Sequence, residues 1–155
     1  MRNPHFAMVA SWREAASIVG FQPHVPEHTV GFSLGSLGVW IKDHKRRRVS
    51  QARRSLEAHY GGFVLAQSQP GMHEAANLAM ETSYGPDPMP VSVEGCEGRS
   101  YQLGPPTAAG DVDGRAPAVV VWADEARFFL LASGELVVEV LLDVAGSLRE
   151  ANDDE

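Results

Sequence analysis

The sequence predicts an α+β fold, an antiparallel sheet with an N-terminal and a C-terminal helix packed on one face. Three observations carry that expectation. Ala118-Val119-Val120-Val121-Trp122 and Arg127-Phe128-Phe129-Leu130-Leu131 flank the polar turn Ala123-Asp124-Glu125-Ala126, the pattern of a hairpin. Ser11 followed by Glu14 is a capping box, in which the hydroxyl accepts from a first-turn amide and the carboxylate reaches back. Leu136, Val137, Val140, Leu141, Val144 and Leu148 follow the rhythm of one helix face.

Taken in order, residues 1–10 read as an N-terminal extension, 11–150 as a single domain and 151–155 as an acidic tail. In the first helix Ala15, Ala16, Ile18 and Val19 form the apolar face, and Gly20 ends it where a left-handed cap is cheap. Residues 21–26 are extended, because Pro23 and Pro26 push their predecessors out of helical geometry. Residues 29–40 read as β, with Gly31, Gly35 and Gly38 at bends or bulges. Residues 49–60 alone fit helix or strand, but Gly61-Gly62 before Phe63 makes residues 52–68 a hairpin.

Alanine-rich residues 73–82 suit two helical turns, and Pro86, Pro88 and Pro90 exclude regular structure before Val91. Residues 91–94 and 100–103 are short strands around Gly95 and Gly98, and residues 104–114 form an exposed loop. The last helix is expected from Ser133 or Gly134 to about Arg149. Ser133 would be its N-cap, with Glu135 at the positive start and Arg149 at the negative end. Trp12, Trp40 and Trp122 read as core.

The chain has 155 residues, 44 % hydrophobic and 21 % charged, as one globular domain requires. No stretch approaches the ~20 apolar residues of a membrane span, and residues 1–10 lack the apolar run of a secretory signal. A soluble chain is expected, with its compartment left open by the single cysteine, Cys96. The net charge of −7 opposes a surface that coats nucleic acid or anionic lipid throughout. Charge is uneven, however. Lys42, Lys45, Arg46, Arg47, Arg48, Arg53 and Arg54 against Asp43 put +6 on residues 42–54 and leave −13 on the rest.

That strip is the candidate contact site. Clustered arginines grip phosphates or acidic protein groups; the plainer reading is a solvated loop or edge, where positive charge discourages strand pairing. Aromatic residues do not interleave the run, as single-strand binders usually require.

No metal, cofactor or catalytic residue is expected. His24 and His28 have Pro26 between them and cannot share a helix face as paired zinc ligands do; His5, His44, His59 and His73 are scattered. Cys96 lies between Glu94 and Glu97, whose charges suppress a thiolate. Gly35-Ser36 and Gly146-Ser147 lack the nucleophile elbow. Gly31, Gly35 and Gly38 are misspaced for a phosphate cradle.

Two separated segments resemble a known family. Ala15-Ala16-Ser17-Ile18-Val19-Gly20-Phe21 with Val25-Pro26, and Trp122, Phe129 and Leu131 followed by Leu136 to Val144-Ala145-Gly146-Ser147-Leu148, are similar to the two ends of DUF4367-like bacterial domains of unknown function. Gln67 sits where such domains often carry a glutamine. These domains are often extracytoplasmic, attached to anti-sigma-factor or lipoprotein anchors. The resemblance implies a sheet-and-helix domain with a sensory or interaction role, and it transfers no catalytic residue. The expected function is therefore a non-catalytic regulatory or sensory module that binds a protein or small ligand. The alternatives are a nucleic-acid-associated protein using the strip, and an enzyme with a dispersed site.

Overall fold

Capping decides where the first helix begins and ends. In the computed structural model, which describes residues 5–42, 53–68, 89–102, 118–124, 127–152 and 154–155, α1 spans Trp12–Val19. Ser11 Oγ accepts from the Glu14 amide at 3.0 Å, and the Glu14 carboxylate reaches back to the Ala10 amide at 2.7 Å. Gly20 closes the helix with a left-handed residue.

Ten strands accompany it among the described residues: β1 His5–Met8, β2 His24–Pro26, β3 Leu34–Lys42, β4 Arg53–Tyr60, β5 Val64–Ser68, β6 Met89–Val93, β7 Cys96–Gln102, β8 Ala118–Ala123, β9 Phe128–Ser133 and β10 Leu148–Glu150. Eight of them form one antiparallel sheet in the order β1-β3-β4-β5-β9-β8-β7-β6, while β2 and β10 pair as a separate antiparallel ribbon. The second helix, α2, spans Val138–Ala145. Among the described residues the fold is therefore mostly antiparallel sheet with two helices. No helix among the described residues is long and apolar enough to cross a membrane.

Register explains which side chains are buried. Val39, Leu56, Gln67, Phe129 and Trp122 lie directly opposite one another across β3, β4, β5, β9 and β8; Leu37, Ala58, Leu65, Leu131 and Val120 form a parallel row. All ten are buried. Because strand side chains alternate between faces, these rows belong to one side, the inner face. Trp12, Ala15 and Val19 of α1 and Leu141, Val144 and Ala145 of α2 join the same apolar cluster.

The hairpins at 52–68 and 118–131 form as the sequence predicts. Elsewhere the structure departs from expectation. The C-terminal helix is only eight residues long, because the chain turns at Ser133 before entering it. The Ser133 hydroxyl donates to the Gly62 carbonyl at 2.6 Å and accepts from the amides of Glu135 and Leu136, which holds a turn rather than a helix start. The actual N-cap, Val137, contributes no side-chain bond. After Gly146 the chain straightens, so Leu148 and Arg149 belong to β10 and pair with Pro26 and Val25.

Pro90 does not exclude a strand. It lies inside β6, at the sheet edge, where a missing N–H costs no ladder bond. Residues 96–99, not assigned to a strand from sequence, complete β7. Glu94 and Gly95, both at positive φ, make the two-residue turn between β6 and β7 that matches strand twist. Within the segment 1–10 read as an extension, His5–Met8 form β1 of the sheet. In the terminal segment Ala151 is buried and Glu155 is held by Arg149. The helical turns at 73–82 and the loop at 104–114 lie outside the described residues.

Candidate functional site

The outer face of the sheet, opposite the rows that pack the core, differs from one end to the other. At the β7–β9 end it is closed: Tyr101, Val119, Val121 and Phe128 are buried in a second apolar cluster. At the β1–β3–β4 end it is open. Phe6 is 39 % exposed and Met8 59 % exposed. In the register, Phe6 faces Trp40, which faces Ser55, and Met8 faces Gly38, which faces Glu57.

This arrangement follows from residue types. Gly38 has no Cβ, and one built there would overlap the Phe6 ring, so glycine lets that ring lie down on β3. The ring then contacts Trp40, with centroids 4.8 Å apart and planes tilted by 46°. Trp40 is not a core residue, as the sequence suggested. It is half-buried on this face, and its indole Nε1–H donates to the Glu57 carboxylate. An aromatic pair is thus fixed from below by glycine and from the side by a carboxylate.

Backbone polarity adds a second property. The Val9 amide donates to the Leu37 carbonyl at 2.9 Å, one residue beyond the Met8–Gly38 pair. In an antiparallel pair, alternate residues turn both backbone groups to the same neighbour. Ala7 therefore turns its groups towards β3, while Phe6 and Met8 turn theirs to the side of β1 that bears no strand among the described residues.

The basic strip begins at the same place. Lys42 and Arg53 are the last register pair between β3 and β4, and Lys42 lies two residues beyond Trp40. The strip residues between them, Lys45, Arg46, Arg47 and Arg48, lie outside the described residues. Arg54 has a structural partner: its guanidinium donates to the Ile18 carbonyl at 2.7 Å, in the last turn of α1, where positive charge complements the helix end.

A second polar cluster ties the β2–β10 ribbon down. The Gln67 side chain, 1 % exposed, accepts from the His24 amide and donates to the His24 carbonyl, both at 2.7 Å. Its amide thus serves β2 as another strand would. The His24 ring stands edge-on to Phe129 with centroids 5.4 Å apart, and its buried Nδ1 has no partner among the described residues. Burial and then the nearby Arg127 charge push the His24 pKa below 6.5, against the weaker pull of Asp124 and Glu150. Arg127 donates to the Gln22 carbonyl at 2.7 Å and lies near Asp124 at 3.5 Å and Glu150 at 3.7 Å.

At the ribbon's other side Arg149 bridges Glu155 at 2.6 Å and Glu27 at 3.2 Å. The Arg149 hydrogen bond, followed by the Asn152 amide, pulls the Glu155 carboxyl down to about 2. Burial pushes the nearby Tyr60 hydroxyl up to about 12. The Arg149–Glu155 pair fastens the terminal residues to β10.

Cys96 is a half-buried free thiol on β7. Among the described residues no three His, Cys, Asp or Glu side chains converge on a metal position. Phe6, Met8 and Glu57 were missed from sequence. The available signal was the alternation Phe6-Ala7-Met8, inside residues 1–10 read as an extension. No family model, curated protein or solved structure matches the chain.

Proposed function

We propose that the chain is a non-catalytic regulatory or sensory module that docks a protein or small ligand on the outer face of its β1–β3–β4 end. The observation that carries this reading is exposed Phe6 and Met8 with the half-buried Trp40 that Phe6 contacts, at the end of the sheet where β3 leads into residues 42–54 of net charge +6. Aromatic residues and methionine that stay accessible at a surface are enriched at binding interfaces. The resemblance to DUF4367-like domains supports the same class of role. In this reading both helices lie against the inner face and leave the outer face to the partner; their buried residues share one cluster with the inner rows.

The test is affinity capture from lysate of the source cell, with and without nuclease, using the native chain and a Phe6→Ala/Trp40→Ala variant. Recovery of a defined protein that survives nuclease and is lost with the variant supports the module. Equal recovery by the variant and by an Arg46→Ala/Arg47→Ala/Arg48→Ala chain rules this face out.

One observation favours a second reading. Aromatic residues do not interleave the strip in sequence, yet the fold places the Phe6–Trp40 pair beside its ends, as a stacking platform for single-stranded nucleic acid requires. That reading predicts capture that nuclease abolishes, and oligonucleotide affinity that falls steeply with salt.

A further inference from the structure

Among the described residues, the polar links between the β2–β10 ribbon and strands β5 and β9 converge around one side chain. Gln67 of β5 bonds both backbone groups of His24. Arg127, just before β9, bonds the Gln22 carbonyl and lies near Glu150, which is opposite His24 in the register. The His24 ring stands in the middle of this junction, edge-on to Phe129, with a shielded Nδ1 that has no partner among the described residues. We propose that His24 is a proton-operated catch: when its ring takes up a proton, the β2–β10 ribbon lifts from the inner face while the eight-stranded sheet stays folded. This inference concerns the face opposite the docking surface and does not rest on it.

The surroundings of the ring oppose its charged form. Among the described residues three charged groups act on it: Arg127 and Asp124 from the connection between β8 and β9, and Glu150 from β10. β5 and β9 present the uncharged Gln67 and Phe129. The two carboxylates do not rescue a charged ring, because Arg127 already engages both, Asp124 at 3.5 Å and Glu150 at 3.7 Å. Asp124 also accepts from the Arg127 amide at 2.7 Å. A protonated ring would be a second cation beside Arg127, partly removed from water. The direction of the His24 shift, downwards from 6.5 with burial as its first cause, agrees with this geometry.

The ribbon is small enough to open separately. Its strands have three residues each, and Val25 and Ala151 bring it into the inner-face cluster. Segments with so little buried apolar surface open below the free energy of global unfolding. A two-stranded pair is marginal alone, so the bonds that close the ribbon, from the Glu27 amide to the Ser147 carbonyl and from the Ala151 amide to the Pro23 carbonyl, should loosen with it. Opening would uncover Gln67, whose amide stands in an apolar row between Leu56 and Phe129.

The test is amide hydrogen exchange on the full chain, read by NMR from pH 7.5 to pH 5 and corrected for the intrinsic rate. The His24, Glu27 and Ala151 amides should be at least tenfold less protected than those of β8 and β9. Between pH 7.5 and pH 5.5 their protection should fall several-fold, with about tenfold the ceiling for one proton taken up a unit below 6.5. His24→Gln keeps the backbone groups that Gln67 holds and takes up no proton, so its ribbon protection should stay constant over the same range. If that variant does not fold, the native chain decides: the fall should begin near 6.5 and level off where the folded ring titrates, read from its carbon-bound protons.

Equal protection of the ribbon and of β8 and β9 at pH 5.5 overturns a separate opening. Ribbon protection that holds from pH 7.5 to pH 5.5 overturns the catch. So does a fall that His24→Gln leaves intact, which assigns it to another group. A loss that begins only below the ring's own titration belongs to a carboxylate and overturns the role of His24.

Discussion

The two ends of the eight-stranded sheet solve the same problem in opposite ways. At the β6 end the outer face near the edge is sealed by Tyr101, Val119, Val121 and Phe128, and the edge strand contains Pro90. At the β1 end the outer face is left to Phe6, Met8 and Trp40, and the edge strand has no residue that opposes pairing. An edge costs a protein something only when another strand can reach it. The inner face is buried along the whole sheet, so the difference lies in the outer face, closed by apolar burial at one end and accessible at the other.

The largest test of the comparison is a pair of truncations. Phe128→Ala at the sealed end should cost about 3–5 kcal/mol, as removal of a buried aromatic does. Phe6→Ala at the open end should cost about 1 kcal/mol or less, as for a surface change. Urea midpoints of the two variants decide it, and equal losses would break the comparison. Next in size is Gln67→Leu, at the centre of the sheet. It leaves the His24 amide and carbonyl without partners and should cost about 2–4 kcal/mol. Exchange of the β2 and β10 amides should rise well before that of β8 and β9.

Proton linkage gives a smaller effect with a defined sign. His24 titrates below 6.5 in the folded chain, so between 6.5 and that lowered value the unfolded chain binds more protons. Stability therefore falls as pH drops below 6.5, and His24→Gln should flatten that limb. Glu155 is shifted from 4.5 to about 2, so its contribution is present above 4.5 and lost as pH falls towards 2; Glu155→Gln should remove only that second limb. Urea midpoints measured between pH 7.5 and pH 2 separate the two windows.

Much of the fold was legible because local chemistry and tertiary structure agree. Ser11, Glu14 and Gly20 bound α1 by themselves, and the apolar runs on either side of residues 123–126 can be nothing but a buried hairpin. The C-terminal helix was overread because periodicity alone carried it. Leu136, Val137 and Leu148 are as apolar as Leu141, but Ser133 holds the chain in a turn before the helix, and pairing with β2 claims the residues after it. The site was less legible still. Trp40 alternates with Val39 on β3, so one is outside while the other is buried, and only the register says which. The Phe6–Gly38 contact joins residues 32 positions apart and leaves no local trace. Gln67 was noticed through a resemblance, but its partner is the backbone of His24, to which no side-chain pattern points.

The smallest expected effect on stability is also the most direct way to sharpen the contrast between the edges. Pro90→Val restores an N–H to β6 without touching the core, since residue 90 is exposed. Folding stability should change by about 0.5 kcal/mol or less, as at other surface positions. Association should change more, because β6 would then offer an uninterrupted edge beside Met89, which is 68 % exposed. Sedimentation velocity over a hundredfold concentration range should show the native chain unchanged and the Pro90→Val chain forming dimers. If the variant stays as monomeric as the native chain, proline is not what keeps β6 closed. The contrast between the two ends would then rest on the outer faces alone, with Phe128 and Val121 sealed at one end and Phe6 and Met8 exposed at the other.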